Sequence, residues 1–157
     1  MNFSKPEAFV KQIIIYLVQK EYDLAFALSK EFVVTFPNNL LAHFFLAKSA
    51  FWIRNFVIAI DEGRKAFNMS VGNDLITTGV LLASAYYIYG DFQKGYLVLV
   101  AVENALPNEL TPEFEEIISI YSLALNNPEN AEKHIKRLYE LNSKYAESFI
   151  LKFLEFG

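Results

Sequence analysis

His43 and His134 are the two histidines of this 157-residue chain, and they lie some ninety residues apart. Neither has a second ligand-type side chain three or four residues on, the spacing that puts two groups on one helix face for a metal or a base. His134 sits among charged residues and is expected on a solvated face. The adjacent acids Asp61-Glu62 and Glu115-Glu116 would point about 100° apart on a helix, so neither pair readily shares a proton. With Arg64 and Lys65 close by, the first pair has the pattern of a solvent face. No glycine-rich phosphate loop, His-Glu metal motif or calcium loop occurs. The absence of cysteine rules out thiolate chemistry, disulfides and Cys-ligated zinc. No catalytic residue, metal or cofactor is expected. The chain reads as a binding protein, not an enzyme.

Composition narrows the kind of binding. A formal charge of −4 and pI near 5.2 argue against nucleic acid, which calls for a basic field. The loose group Lys133, Lys136 and Arg137 has the pattern of a solvated helix face. With 54% apolar and 20% charged residues, the chain can fill a core, and its length suits one domain over 1–157. Fifteen Phe and nine Tyr are many for such a domain, so part of the aromatic surface is expected to meet a protein partner, or a second copy. His43, Lys48, Arg54 and Asn55 interrupt the apolar stretch 40–60, and Gly90-Asp91 ends that of 75–89. Neither supplies the roughly 20 apolar residues of a spanning helix, so no membrane insertion is expected. The short run Ile13–Val18 lacks a following cleavage pattern, and a cytoplasmic location is expected.

The elements that must position these side chains emerge when the chain is laid on itself. Ala25, Ala59, Gly95 and Ala131 are spaced by 34, 36 and 36 residues. The same shifts carry Tyr22 to Phe56 and Phe92, Pro37 to Pro107, and Gln12 to Leu46, Leu82 and Ile118. Repeats follow at 6–39, 40–73, 76–109 and 112–145, with 146–157 left as a cap. Within each, apolar residues recur at helical spacing, as in Phe9, Gln12, Ile13 and Tyr16. Turn signals at Lys20-Glu21, Arg54-Asn55, Gly90-Asp91 and Asn126-Asn127-Pro128 split each repeat into two helices. The expected pairs are 6–19 with 22–35, 40–53 with 56–69, 75–89 with 92–105, and 112–125 with 129–142, with a ninth helix at 146–156. The fold is all-α, an α-solenoid of antiparallel helix hairpins. Small residues recur where helices must cross closely.

This pattern resembles the tetratricopeptide repeat family over nearly the whole chain. Tyr22-Asp23-Leu24-Ala25 through Phe36-Pro37-Asn38-Asn39 carries the resemblance best, followed by Leu82-Ala83 with Gly90-Asp91-Phe92. The chain departs from it where Val71 and Ser143 replace the closing Pro and Ile13 replaces a small residue. Glu115 stands where a large residue belongs, with Phe114 beside it, which leaves the fourth register open by one residue. The resemblance implies that His43 takes a packing position.

It also implies that the first helices line a concave groove. Val10, Ile14 and Leu17 form a stripe rotated by about a third of a turn from the core stripe. The repeat carries it to Phe44, Lys48, Phe51 and Trp52, then to Val80, Ser84, Tyr87 and Ile88. In the fourth repeat it gives Glu116, Ile120, Leu123 and Ala124. A surface helix needs one apolar stripe, so a second one either faces a partner or is covered by curvature or by residues 146–157. Lys48 alone supplies charge in the middle of this stripe, unlike the grooves of relatives that grip acidic chaperone tails. Such a groove would receive a helix or extended segment of a partner. Two roles fit: a scaffold or adaptor within a larger assembly, or a cytosolic chaperone that shields an apolar client segment, as small secretion chaperones of this fold do.

Overall fold

One turn geometry recurs in all four repeats. In the computed structural model, which describes residues 3–156 and side chains through Lys152, Lys20, Arg54, Gly90 and Asn126 have φ of 60°, 66°, 101° and 57°. Each is the fifteenth residue of its repeat. A left-handed residue there reverses the chain, and the next N–H reaches back to close the helix end. Glu21 N–H donates to the Tyr16 carbonyl at 2.8 Å, Asn55 to Ala50 at 2.8 Å, Asp91 to Tyr86 at 3.0 Å, and Asn127 to Ser122 at 2.7 Å. The fourth of these turns, at Asn126, has the same geometry as the other three.

These turns divide the described residues into helices α1 (Pro6–Val18), α2 (Tyr22–Thr35), α3 (Leu40–Trp52), α4 (Phe56–Met69), α5 (Asp74–Tyr89), α6 (Phe92–Ala105), α7 (Pro112–Ala124), α8 (Pro128–Leu141) and α9 (Ser143–Phe156). Side-chain caps hold several starts: Asn39 accepts from Ala42 N–H, Asn55 from Ile58, Thr111 from Phe114 and Asn127 from Asn130. The last helix begins at Ser143 rather than 146, because Asn142 caps it at once by accepting from Tyr145 N–H at 3.0 Å.

Consecutive helices pack as hairpins, and α1, α3, α5, α7 and α9 also touch one another in series. The backbones of the second helices α2, α4, α6 and α8 do not approach one another in this way, and α6 and α8 meet only through long side chains such as Arg137 and Glu103. The first helices are therefore the tight inner layer and the second helices the splayed outer one, which curves the array toward the first-helix side.

The small residues sit at the crossings: Ala25 and Ala59 are 0% exposed and Ala131 is 2% exposed. At Gly95 even a methyl is too large. A Cβ there would lie 1.8 Å from the Tyr121 hydroxyl oxygen, because Tyr121 threads from α7 between α5 and α6 and donates to the Ala83 carbonyl at 2.6 Å. Around it lie Tyr87 and Phe92, with ring centroids 5.4 and 6.3 Å away. Burial, foremost, raises the Tyr121 phenol above its ordinary pKa.

Candidate functional site

Polar chemistry and the concave surface turn out to be separate. His43 is buried, as a packing position requires, but it is also paired. Its Nδ1 lies 2.5 Å from Oε2 of Glu62, and its Nε2–H donates to the Pro37 carbonyl at 2.6 Å. Lys65 donates to the other Glu62 oxygen at 3.1 Å, and that bond, more than any other influence, raises the Lys65 pKa. The solvent-face reading of Asp61-Glu62 therefore holds for Asp61 alone. Glu62 turns inward, because the imidazole on the facing helix offers a partner that no local pattern discloses.

His134 corrects the sequence reading more sharply. Far from solvated, it is 0% exposed, and Glu115 is 1% exposed. Its Nδ1 lies 2.5 Å from Oε2 of Glu115. Its Nε2 is 3.2 Å from Oε2 of Glu103, within charge range but not aligned for a hydrogen bond. Arg137 donates to that same Glu103 oxygen at 3.0 Å, so it belongs to this buried cluster rather than to a solvated face. Lys133 and Lys136 do face solvent. Each histidine is enclosed by its pair, and neither pair lines the concave surface. Among the described residues no cluster of potential metal ligands occurs.

On the concave side lies a trough of about 460 Å³, open to solvent, between α3, α5 and the start of α7. It brings together Phe44, Lys48, Phe51, Trp52, Val80 and Ser84 from the second stripe. Trp52 is 49% exposed and stands within a row of rings. Its plane stacks on Tyr22 at 5.3 Å and meets the Phe51 edge at 5.7 Å, and Phe51 in turn meets Phe56 at 5.7 Å. The Lys48 ammonium lies over the Phe44 ring at 5.6 Å.

The rest of the stripe is elsewhere. Val10 and Leu17 pack half-buried against the N-terminal core around Phe9 and Phe32. Tyr87 is drawn into the core around Tyr121, whereas Ile14 and Ile88 are 44% and 46% exposed outside the trough. On α7 the stripe is covered in part by α9: Ile120 packs on Leu138, Ala146 and Phe149, and the Tyr145 hydroxyl donates to Glu116. Burial first, then that carboxylate, raises the Tyr145 pKa. The trough is left uncovered by the described part of α9.

Sequence reasoning missed the trough's far wall, formed by Ile76, Thr77, Leu81, Thr111 and Glu113. Ile76 and Thr77 lie one helical turn before Val80, so extending the stripe by a turn would have found them. Thr111 caps α7 and Glu113 lies in its first turn, where no match to the second stripe marks them.

No family model matches this chain, and no curated protein matches it. Solved structures do. A thermophilic tetratricopeptide protein of Thermus thermophilus superposes over 96% of this chain and 82% of its own, with TM-score 0.76 and 16% identity. The fold is that of a tetratricopeptide array. A crystal structure of MamA aligns over 91% of this chain and 81% of its own, with TM-score 0.74 and 20% identity. MamA of Desulfovibrio magneticus aligns over 89% and 77%, with TM-score 0.74 and 16% identity. At such identities the likeness establishes the tetratricopeptide architecture alone. Among the described residues, no helix is long and apolar enough to cross a membrane.

Proposed function

We propose that this tetratricopeptide array is a protein-binding scaffold whose trough receives a segment of a partner protein. The observation that carries the reading is Trp52, half exposed at the lip of the trough beside Phe44 and Phe51. Aromatic side chains bury much area with few rotors, and Trp and Tyr are enriched among the residues that dominate binding energy. A monomer gains nothing by leaving such rings in water at its concave centre. The half-open shape suits a chain segment crossing the first helices.

The test is a binding titration with peptides selected from a random-peptide display library on the whole protein. Trp52→Ala and Phe51→Ala should weaken selected peptides by about 2 kcal/mol or more. Val57→Ala, on the outer helix α4 and 65% exposed, should leave them unchanged. Loss at Val57 with retention at Trp52 would move the binding surface to the outer layer and defeat the proposal.

A further inference from the structure

Lys48 is a half-buried cation in the trough, and it forms no ion pair among the described residues. Its neighbours there are mostly apolar: Phe44 lies under its ammonium, and Phe51, Trp52, Ile76 and Val80 continue the lining. Two other lysines pair locally, Lys65 with Asp61 and Glu62, and Lys94 with Asp91. Glu113 stands exposed at the trough's rim without reaching Lys48 as an ion pair. While the trough is open, water and the Phe44 ring serve the charge. An occupant that filled the trough with hydrocarbon would strip that water and leave an unpaired buried ammonium, a large penalty.

The occupant must therefore bring a negative group. Lys48 lies one turn beyond Phe44 and one turn before Phe51 and Trp52, so the apolar lining continues on both sides of it. A chain terminus placed at Lys48 would leave one of those sides empty.

Resting on the reading of the trough as a protein-binding groove, we infer that its occupant is an apolar protein segment with one internal acidic side chain. That Asp or Glu pairs with Lys48, and apolar neighbours lie on Phe44 and on the Phe51–Trp52 edge. Along α3 the two flanks lie about 6 Å either side of Lys48, given a rise of 1.5 Å per residue. That distance is about two residues of extended chain or four of helix. The motif is apolar, acid, apolar at one of those spacings.

A random-peptide display library, fused so that no peptide has a free C-terminus, is selected on the protein and on Lys48→Glu. Wild-type selections should be rich in apolar peptides with a central Asp or Glu, and Lys48→Glu should exchange that residue for Lys or Arg. For a selected peptide made synthetically, replacing its acid by Leu should weaken binding about tenfold or more, and Lys48→Gln should reproduce that loss. Pools without acids, or the same pool on both proteins, would overturn the inference while leaving the groove intact, provided binding still needs Trp52. A synthetic peptide in which a terminal carboxylate fully replaces the internal acid would also overturn it. An absence of any selected pool, or pools indifferent to Trp52→Ala, would remove the groove reading and the inference together.

Discussion

His43 on α3 and Glu115 on α7 occupy the same position, the fourth residue of their repeats, and their partners Glu62 and His134 also share one position. The imidazole and carboxylate have changed places between the second and fourth repeats, with the same 2.5 Å contact in each. The first and third repeats fill these positions with Phe9 and Leu28, and with Gly79 and Val98. Each repeat thus holds there either a hydrocarbon contact or an imidazole–carboxylate pair in one order or the other, and none holds half a pair.

That exclusion is measurable. Glu115→Leu removes the carboxylate at His134 Nδ1, leaving only the misaligned Glu103 oxygen at Nε2, and should cost roughly 3–5 kcal/mol, whereas Glu115→Leu with His134→Leu should cost far less. Urea unfolding midpoints give both values. A double variant as unstable as the single one would show that packing, not the stranded histidine, sets the cost.

Gly95 and Tyr121 form a second coupled pair. With 1.8 Å between the Cβ an alanine would carry and the Tyr121 oxygen, Gly95→Ala should exceed the usual overpacking cost of about 1–3 kcal/mol. Tyr121→Phe should cost only about 1 kcal/mol, for the bond to Ala83. Tyr121→Leu should absorb part of the Gly95→Ala penalty, and thermal melts of the three variants and the combination would reveal the non-additivity.

Lys20 has φ of 60° where the third repeat has Gly90. A left-handed backbone costs a side-chain-bearing residue roughly 1–2 kcal/mol, while glycine adopts it freely but loses more freedom on folding. Lys20→Gly should therefore raise stability by a few tenths to about 1 kcal/mol. An unchanged or lowered denaturation midpoint would argue against strain at this turn. Arg54→Gly is a weaker probe, because Arg54 also lies over the Phe56 ring at 5.5 Å.

The helices were legible because each repeat states its own punctuation: a small residue at the crossing, a turn pair, and a capping Asn, Asp or Thr. Helix ends shifted by a residue or so, and α9 by three, where Asn142 served as a cap without an intervening loop. What was illegible lay across helices. His134 is flanked by Lys133, Lys136 and Arg137, so its own helix reads as polar there, and the carboxylate that permits its burial comes from α7. The second stripe was visible as spacing, but spacing could not tell that Tyr121 would draw Tyr87 into the core. Nor could it tell that Phe51 and Trp52 would remain at the surface of a trough closed by Thr111 and Glu113 at the start of α7.

Trp52 is the chain's single tryptophan, so its fluorescence reports on the proposed groove without labelling. The most direct test is to titrate the dilute protein, first shown to be monomeric by its mass in solution across a dilution series, with a library-selected peptide. Trp52 emission and its quenching by acrylamide are followed together. Because the indole is 49% exposed, occupancy of the trough should shift its emission to the blue and shield it from quencher. Trp52→Ala should weaken the same peptide by about 2 kcal/mol or more while costing less stability than the roughly 3–5 kcal/mol of a core tryptophan. Saturable peptide binding that leaves Trp52 emission and quenching untouched, with full affinity kept in Trp52→Ala, would contradict the account.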